Sequence, residues 1–238
     1  MKKMFLLLTV TLLALSLSAQ QKKTASKSAP RPAAAKVKKE TMVEIWTDYG
    51  TIVAKLYDST PRHRDNFINL VQQKFYDSLL FHRVIDGFMI QGGDPTSKNA
   101  QPGLQLGGGS APGERIPAEF SNHLIHKKGA LAAARDNNPE KASSNCQFYI
   151  VQGKPVDNVT LNSIECQRVR TANPGFAYTD EQRKTYQAIG GTPFLDQNYT
   201  VFGEVVKGLD VVDKIAAAQK DQSDRPLKDI KMKIRILK

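Results

Sequence analysis

The sequence has few features of a membrane-spanning or lipid-anchored protein. It has two cysteines in 238 residues, and neither closely follows the N-terminal apolar segment, so a lipid-modified N-terminus is not expected. That segment, residues 4–17, is 14 residues long, too short to cross a bilayer comfortably. It follows Lys2 and Lys3 and ends in small residues, so 1–19 are predicted to form a cleaved signal peptide that leaves no stable membrane insertion.

Excess positive charge is nearly absent from the part of the chain that is expected to fold. Residues 1–41 contain nine Lys and Arg against one Glu and so carry +8 of the net +11. Residues 20–41 are rich in Lys, Ala, Ser and Pro, which predicts a basic, flexible linker. The remaining residues, 42–238, carry only +3 without clustered basic residues, so no nucleic-acid partner is expected.

The sequence also lacks the groupings that mark a metal, nucleotide or nucleophile site. His123 and His126 lie three positions apart, but no acidic or thiol partners are grouped with them, so they are expected to be surface or core residues. Gly107 and Gly109 follow no clear strand and open no helix, which argues against a nucleotide site. No Ser-His-Asp, Cys-His or paired-carboxylate arrangement is found. We therefore expect neither a metal nor another cofactor.

The two cysteines, Cys146 and Cys166, leave two interpretations open. In an exported protein the oxidising environment would allow them to form a disulfide. Cys146, however, lies in CQFYIV, a predicted buried strand, where a free thiol acting as a small apolar residue is at least as plausible.

The rest of the pattern indicates a mainly β fold with two helices. Alternating segments at 42–47 and 51–57 predict a hairpin, and the segment 230–236 alternates in the same way. Thr60 and Pro61 open a helix as N-cap and first residue, and 209–217 is predicted to form a second helix. Short strands, two helices and glycine-rich turns favour an antiparallel barrel with helices at its ends.

Two segments are longer than ordinary connections. Residues 95–113 hold many glycines and prolines and are predicted to form a long loop. Residues 152–191 form an insertion with its own helix, since Thr179 and Gln182 have the spacing of a capping box and glycines at 190–191 end the helical pattern.

The most informative stretch is FHRVIDGFMIQGGD at 81–94, an apolar strand-like run that contains an arginine and a glutamine. Arg83 could be a structural ion-pair residue in a β protein, because arginines are usually exposed or paired. Alternatively, Arg83 and Gln91 could be fixed donors beside an apolar pocket. The stretch alone does not decide between these interpretations.

Four blocks of sequence, in order, resemble the cyclophilins, which are peptidyl-prolyl cis-trans isomerases. They are FHRVIDGFMIQGGD, IPAEF at 116–120, SSNCQFYI at 143–150, and FLDQNYTVFGEVVKGLDVVDKI at 194–215. The resemblance covers about 42–238, and 152–191 is read as an insertion within that domain. It implies a closed eight-stranded antiparallel barrel capped by two α-helices, with the active groove on the barrel's outer surface.

Matching positions imply the roles of individual residues. Arg83 would be catalytic, Gln91 and the segment Ala134-Arg135 would hold the peptide backbone, and Gln147 would support them. A proline pocket and its rim would be formed by apolar and aromatic side chains: Phe88, Met89, Tyr149, Phe194, Leu195 and, at the rim, Tyr199.

Three positions depart from the family pattern. Phe194 stands where the family often has tryptophan, and Tyr199 stands where it often has histidine. Both residues keep an aromatic wall, so isomerase activity is expected. Binding of cyclosporin, which in the family relies partly on that tryptophan, is disfavoured. Arg135 replaces a common asparagine, which is tolerable if the position acts through its backbone. Since a regular strand would place Phe88 opposite Met89, a bulge or strong twist is expected between Phe88 and Gln91.

The chemistry implied is rotation about a prolyl amide, with a barrier of roughly 18–20 kcal/mol. In the twisted transition state the proline nitrogen recovers its lone pair, which a fixed donor such as Arg83 would stabilise. An apolar pocket would also favour the less polar twisted amide. His82 matches a family histidine to which we assign a supporting role.

We therefore expect a monomeric, exported, periplasmic isomerase that acts on proline-containing peptides and unfolded client proteins. Two other hypotheses belong to different classes. In one, the groove only holds proline-containing segments, as in a binding module or chaperone. In the other, the chain is a scaffold whose partner site is the insertion at 152–191.

Overall fold

The computed structural model describes residues 40–237, so the predicted signal peptide and residues 20–39 of the predicted linker lie outside the described part. The described part is mainly β, and its eight strands pair antiparallel in one sheet. They are β1 (Met42–Thr47), β2 (Gly50–Leu56), β3 (Phe81–Ile85), β4 (Met89–Gly92), β5 (Ala130–Ala133), β6 (Phe148–Val151), β7 (Val201–Lys207) and β8 (Met232–Leu237).

The inner face of the sheet follows from alternating apolar residues. In β1, Val43 and Ile45 are fully buried, whereas Trp46 on the other face is half exposed. The predicted hairpin joins β1 to β2 at Gly50, which has a φ of 130°. A Cβ there would lie 2.8 Å from a methyl group of Val211, so this turn requires glycine both for its backbone and for close packing.

The predicted closed barrel is corrected to an open, curled sheet that forms a half-barrel. The strand order is β3-β4-β6-β5-β7-β2-β1-β8, which leaves β3 and β8 at the two edges. Among the described residues, these edges approach each other near the start of β3, where Leu80 and Lys231 form an isolated bridge and Ser78 N donates to Met232 O at 3.0 Å. Further along β3, Val84 N donates to Asp224 O at 2.9 Å. The loop before β8, rather than β8 itself, therefore covers the edge.

The helices of the described part are α1 (Pro61–Gln72), α2 (Asn158–Ile164), α3 (Arg170–Ala172), α4 (Asp180–Ala188) and α5 (Leu209–Ala216), with a π-helical turn at Glu165–Val169. The two predicted core helices, α1 and α5, contribute buried side chains to the main core. Thr60 is the N-cap residue of α1, but its side chain does not cap the helix. Glu119 does so instead, accepting from Arg62 N at 3.1 Å and His63 N at 3.0 Å.

The insertion forms a small core of its own. Leu161, Val169 and Tyr186 are completely buried there, together with Phe176 and Tyr178. The predicted capping box at the start of α4 is confirmed, with both reciprocal hydrogen bonds between Thr179 and Gln182. The segment is therefore a packed unit rather than an extended loop.

The cysteines do not form a disulfide. Cys146 is buried in the main core and Cys166 is exposed in the insertion, and both are free thiols. Burial raises the pKa of the Cys146 thiol, as expected for a small apolar residue. In residues 40–237, no helix is both long and apolar enough to cross a membrane.

Candidate active site

The site is organised by the antiparallel pair β3 and β4. Phe81 pairs with Gly92 and Arg83 pairs with Gln91, so His82 is an extra residue that bulges from β3. The bulge expected between Phe88 and Gln91 is wrong in position, because β4 pairs with β6 in regular register. Phe88 precedes β4 in the turn after β3, with its N–H bonded to Ile85 O at 3.0 Å. It is therefore free of the strand alternation that appeared to exclude it from the groove.

Arg83 takes part in an ion pair and also lies beside an apolar cavity, the two environments that its sequence context allowed. Its Nε lies 3.5 Å from Asp224 Oδ2, and the side chain is 42% exposed. Lys220 also pairs with Asp224, at 2.5 Å from Oδ1. Within residues 40–237, the two terminal nitrogens of Arg83 have no hydrogen-bond partner. The ion pair thus engages the guanidinium at Nε and leaves its terminal nitrogens available as donors.

Beside Arg83 lies a cavity of about 110 Å³. Nine of the residues expected in the site line it together: Arg83, Phe88, Met89, Gln91, Ala134, Arg135, Tyr149, Leu195 and Tyr199. Phe194 extends the wall, since its ring centroid lies 5.6 Å from that of Phe88. Phe194 and Leu195 belong to a single 3₁₀ turn, Pro193–Leu195, and Leu195 lines the cavity directly.

The polar side of the site is held by Gln147. Gln91 Nε2 donates to Gln147 Oε1 at 3.1 Å, which orients the Gln91 amide towards the cavity. Gln147 Nε2 in turn donates to Gly107 O at 2.9 Å and Gly109 O at 2.8 Å. The long glycine-rich loop is thereby fixed beside the site and lines a second cavity of about 370 Å³ next to Gln91. Its glycine content was visible in the sequence, but its place beside Gln147 was not.

The Ala134-Arg135 segment forms the opposite side. Ala134 N donates to Gln147 O at 2.9 Å, and Ala134 O accepts from Ser144 N at 2.8 Å. The backbone of Arg135 is therefore the more available partner for a peptide. Its side chain is held over the Tyr199 ring at 4.6 Å, with Nε donating to Asn198 O. This cation–π contact orders the rim of the cavity.

His82 directly precedes Arg83 and forms the bulge of β3. It is 3% exposed, and neither ring nitrogen has a hydrogen-bond partner among the described residues. Burial lowers the pKa of His82 to about 4. The ring borders a further cavity of about 580 Å³, which it shares with Arg83, Gln91 and the glycine-rich loop. At neutral pH His82 is therefore an uncharged packing residue beside the donor.

Sequence reasoning missed two buried polar residues behind the wall of the cavity. His126, interpreted only as a surface or core histidine, is completely buried, and its Nε2 lies 2.9 Å from the Tyr149 hydroxyl. Asp196, also fully buried, lies 2.7 Å from His126 Nδ1. Asp196 directly follows Leu195 in the FLDQNYT block, and this polar position between two pocket residues was the one available signal.

The chemistry available here is a donor beside an apolar wall. No three His, Cys, Asp or Glu side chains of residues 40–237 are grouped so that they could hold a metal ion.

The sequence model of the cyclophilin type peptidyl-prolyl cis-trans isomerases matches residues 42–235. The chain belongs to this family. It is accordingly an isomerase of prolyl peptide bonds.

Similar proteins agree with this assignment. A Staphylococcus saprophyticus protein named as a peptidyl-prolyl cis-trans isomerase is 36% identical over 185 residues, covering 77% of this chain and 85% of the relative. A Staphylococcus haemolyticus protein with the same name is 34% identical over 192 residues, covering 80% of this chain and 88% of the relative. The crystal structure of a Cryptosporidium parvum cyclophilin has a TM-score of 0.60 at 22% identity, covering 84% of this chain and 98% of that one. That last likeness concerns the fold.

Proposed function

We propose that this cyclophilin-type isomerase accelerates X-Pro rotation through Arg83. The observation that carries the proposal is the guanidinium at the edge of the apolar cavity, paired at Nε with Asp224, with no partner for its terminal nitrogens in the described part of the chain. In the planar ground state the proline nitrogen is a poor acceptor, because its lone pair is delocalised into the amide. Rotation localises the lone pair, so the donor stabilises the transition state selectively.

The cavity walls complete the proposed mechanism. The proline ring would lie against Phe88, Met89 and Tyr149, where a less polar, twisted amide is favoured. Gln91, held by Gln147, and the backbone of Arg135 would bind the flanking peptide on one side of the bond. With one side anchored, only the other side needs to turn.

The activity is tested by an alanine substitution with a matched control. Arg83→Ala should lower kcat/KM for an X-Pro peptide on the order of 100-fold, the scale of losing one fixed donor to a developing charge. Arg235→Ala removes a paired, exposed arginine of β8 and should leave the rate unchanged. A protease-coupled assay with the purified protein measures both. Equal rates for Arg83→Ala and the wild type would show that Arg83 is not the catalytic residue. No rate enhancement by the wild type, with the peptide still bound, would instead favour a groove that only binds proline-containing segments.

We also propose that the substrates are exported, incompletely folded proteins. The proposal rests on the basic n-region and apolar h-region of residues 1–19. Mass spectrometry of the protein recovered from cell fractions should find a new N-terminus near residue 20 outside the cytoplasm. Recovery of the intact 238-residue chain from the cytoplasm would contradict both the cleavage and the proposed clients.

A further inference from the structure

Asp196 is a buried carboxylate with four hydrogen-bond donors. Its Oδ1 accepts from the backbone N of His126 at 2.8 Å and from His126 Nδ1 at 2.7 Å. Its Oδ2 accepts from the hydroxyls of Tyr178 and Tyr186, each at 2.6 Å. Among the described residues, the ion pairs of Asp196 include no Lys or Arg. Four donors therefore satisfy a buried carboxylate that has no Lys or Arg beside it.

The four donors orient the chain of contacts. A carboxylate whose oxygens accept all four bonds leaves Nδ1 of His126 as a donor. The other ring nitrogen, Nε2, lies 2.9 Å from the Tyr149 hydroxyl, within hydrogen-bond distance. The Tyr149 ring also stacks on His126, with centroids 6.0 Å apart and an interplanar angle of 13°. Asp196 thereby sets the orientation of a side chain that lines the proline cavity.

Both tyrosine hydroxyls come from the insertion. Tyr186 lies on α4 and Tyr178 lies just before it. Tyr178 is also 3.2 Å from Pro193 O, at the start of the turn that carries Phe194 and Leu195. The rings themselves belong to the insertion's small core, where Tyr178 packs on Phe176 with centroids 4.8 Å apart. Ring and hydroxyl therefore serve separable purposes, and the hydroxyl is aimed at Asp196.

The backbone at the end of the insertion also contacts the His126 segment. Thr192 N donates to His126 O at 2.8 Å. A Cβ on Gly191 would lie 2.3 Å from His126 O and 2.6 Å from the Tyr186 ring. The insertion and the His126 segment are thus in direct contact at the point where the chain enters the turn of Phe194 and Leu195.

We propose that the insertion positions the proline pocket of the isomerase through the buried network Tyr178, Tyr186, Asp196, His126 and Tyr149. These are positioning residues: Asp196 and His126 act through Tyr149 and the turn before Asp196. An apolar cluster could fill the same volume without burying a charge, so the polar network is explained by the geometry that it specifies. The inference rests on the proposed function, because it assigns the insertion to that same pocket.

The test removes hydroxyls and keeps rings. Tyr178→Phe with Tyr186→Phe should lower kcat/KM for an X-Pro peptide on the order of tenfold, since small misplacements of a pocket have effects of this scale or larger. Most of the loss should lie in kcat, because the side chains that line the proline cavity would all still be present to bind the peptide. Tyr76→Phe is the matched control: it removes a buried hydroxyl, bonded to Cys146 O at 3.1 Å in the main core, and should leave kcat/KM within twofold.

A spectroscopic readout keeps the inference independent of turnover. Nitrogen NMR of the wild-type imidazoles should show a proton on Nδ1 of His126, the nitrogen that faces Asp196. In the double variant and in Asp196→Asn, the resonances of His126 and Tyr149 should shift, whereas in Tyr76→Phe they should not.

The outcomes separate the two proposals. If the wild type does not turn over X-Pro peptides, the proposed function fails, and NMR titration with the same peptide then tests whether the double variant binds it differently from Tyr76→Phe. A double variant that matches Tyr76→Phe in rate, or in peptide binding when there is no turnover, would overturn the positioning role. Unshifted His126 and Tyr149 resonances in the double variant would overturn it as well.

Discussion

Substitution of His82 should make the protein less sensitive to acid. In the folded protein its pKa is lowered to about 4, mainly by burial and further by the nearby Arg83 and Arg225, while Asp94 opposes the decrease. In the unfolded chain the ordinary value of 6.5 applies. Well above pH 6.5 neither state binds the proton, and His82 contributes nothing to the pH dependence there. As the pH falls below 6.5 the unfolded state gains a proton that the folded state does not, so stability is lost down to about pH 4.

The magnitude follows from the two pKa values. Their difference corresponds to about 3 kcal/mol once the pH is below both, and to about 2 kcal/mol at pH 5. His82→Gln removes the titration and keeps a neutral polar side chain. Any penalty from the new amide is the same at both pH values, so it cancels from the difference between pH 7 and pH 5.

Urea unfolding at pH 7 and pH 5 measures this difference. The wild type should lose about 2 kcal/mol more free energy of unfolding between these pH values than His82→Gln. His123→Gln, the same change at an exposed histidine, should behave as the wild type. His63, which is also buried with a lowered pKa, contributes equally to all three proteins. An identical pH dependence in His82→Gln and the wild type would refute the assignment of a lowered pKa to His82.

Two further predictions concern the donor and the thiols. Asp224→Asn should lower kcat/KM about threefold, because a partly exposed ion pair with Arg83 contributes less than about 1 kcal/mol. Urea unfolding should show that this variant keeps its stability, because asparagine tolerates the left-handed backbone at this position. A loss as large as that of Arg83→Ala would mean that the pair does more than orient the side chain. Titration with a thiol reagent should detect Cys166 in the native protein and Cys146 only after unfolding. Equal reaction of both thiols in the native state would contradict the burial of Cys146.

Local sequence predicted much of the fold because its causes are local. The β1–β2 hairpin, helices α1 and α5 and the capping box of α4 each depend on residues within a few positions of one another, and all are observed. Phe88 shows the limit of this reasoning. The alternation rule was sound, but it was applied across a turn, and the structure places Phe88 before the strand begins.

Contacts between distant residues could not be predicted from pattern. His126 and Asp196 are 70 positions apart, and no periodicity relates them. Tyr178 and Tyr186 look in sequence like ordinary residues of a helical insertion, since an aromatic ring at helical spacing normally indicates core packing. Their rings do pack in a core, and only the three-dimensional structure shows that their hydroxyls meet a carboxylate that follows a pocket residue.

The correction to the barrel and the partner of Arg83 have one physical origin. A β8 paired along the whole of β3 would fill the edge beside Arg83 with strand backbone. Instead, the loop before β8 takes that place, with Asp224 O bonded to Val84 N and the Asp224 carboxylate beside Arg83 Nε. One residue therefore caps an open sheet edge through its backbone and orients the donor through its side chain. The incomplete closure of the sheet is thus what brings a carboxylate to the arginine, and a fully paired strand would leave that position to a ladder hydrogen bond.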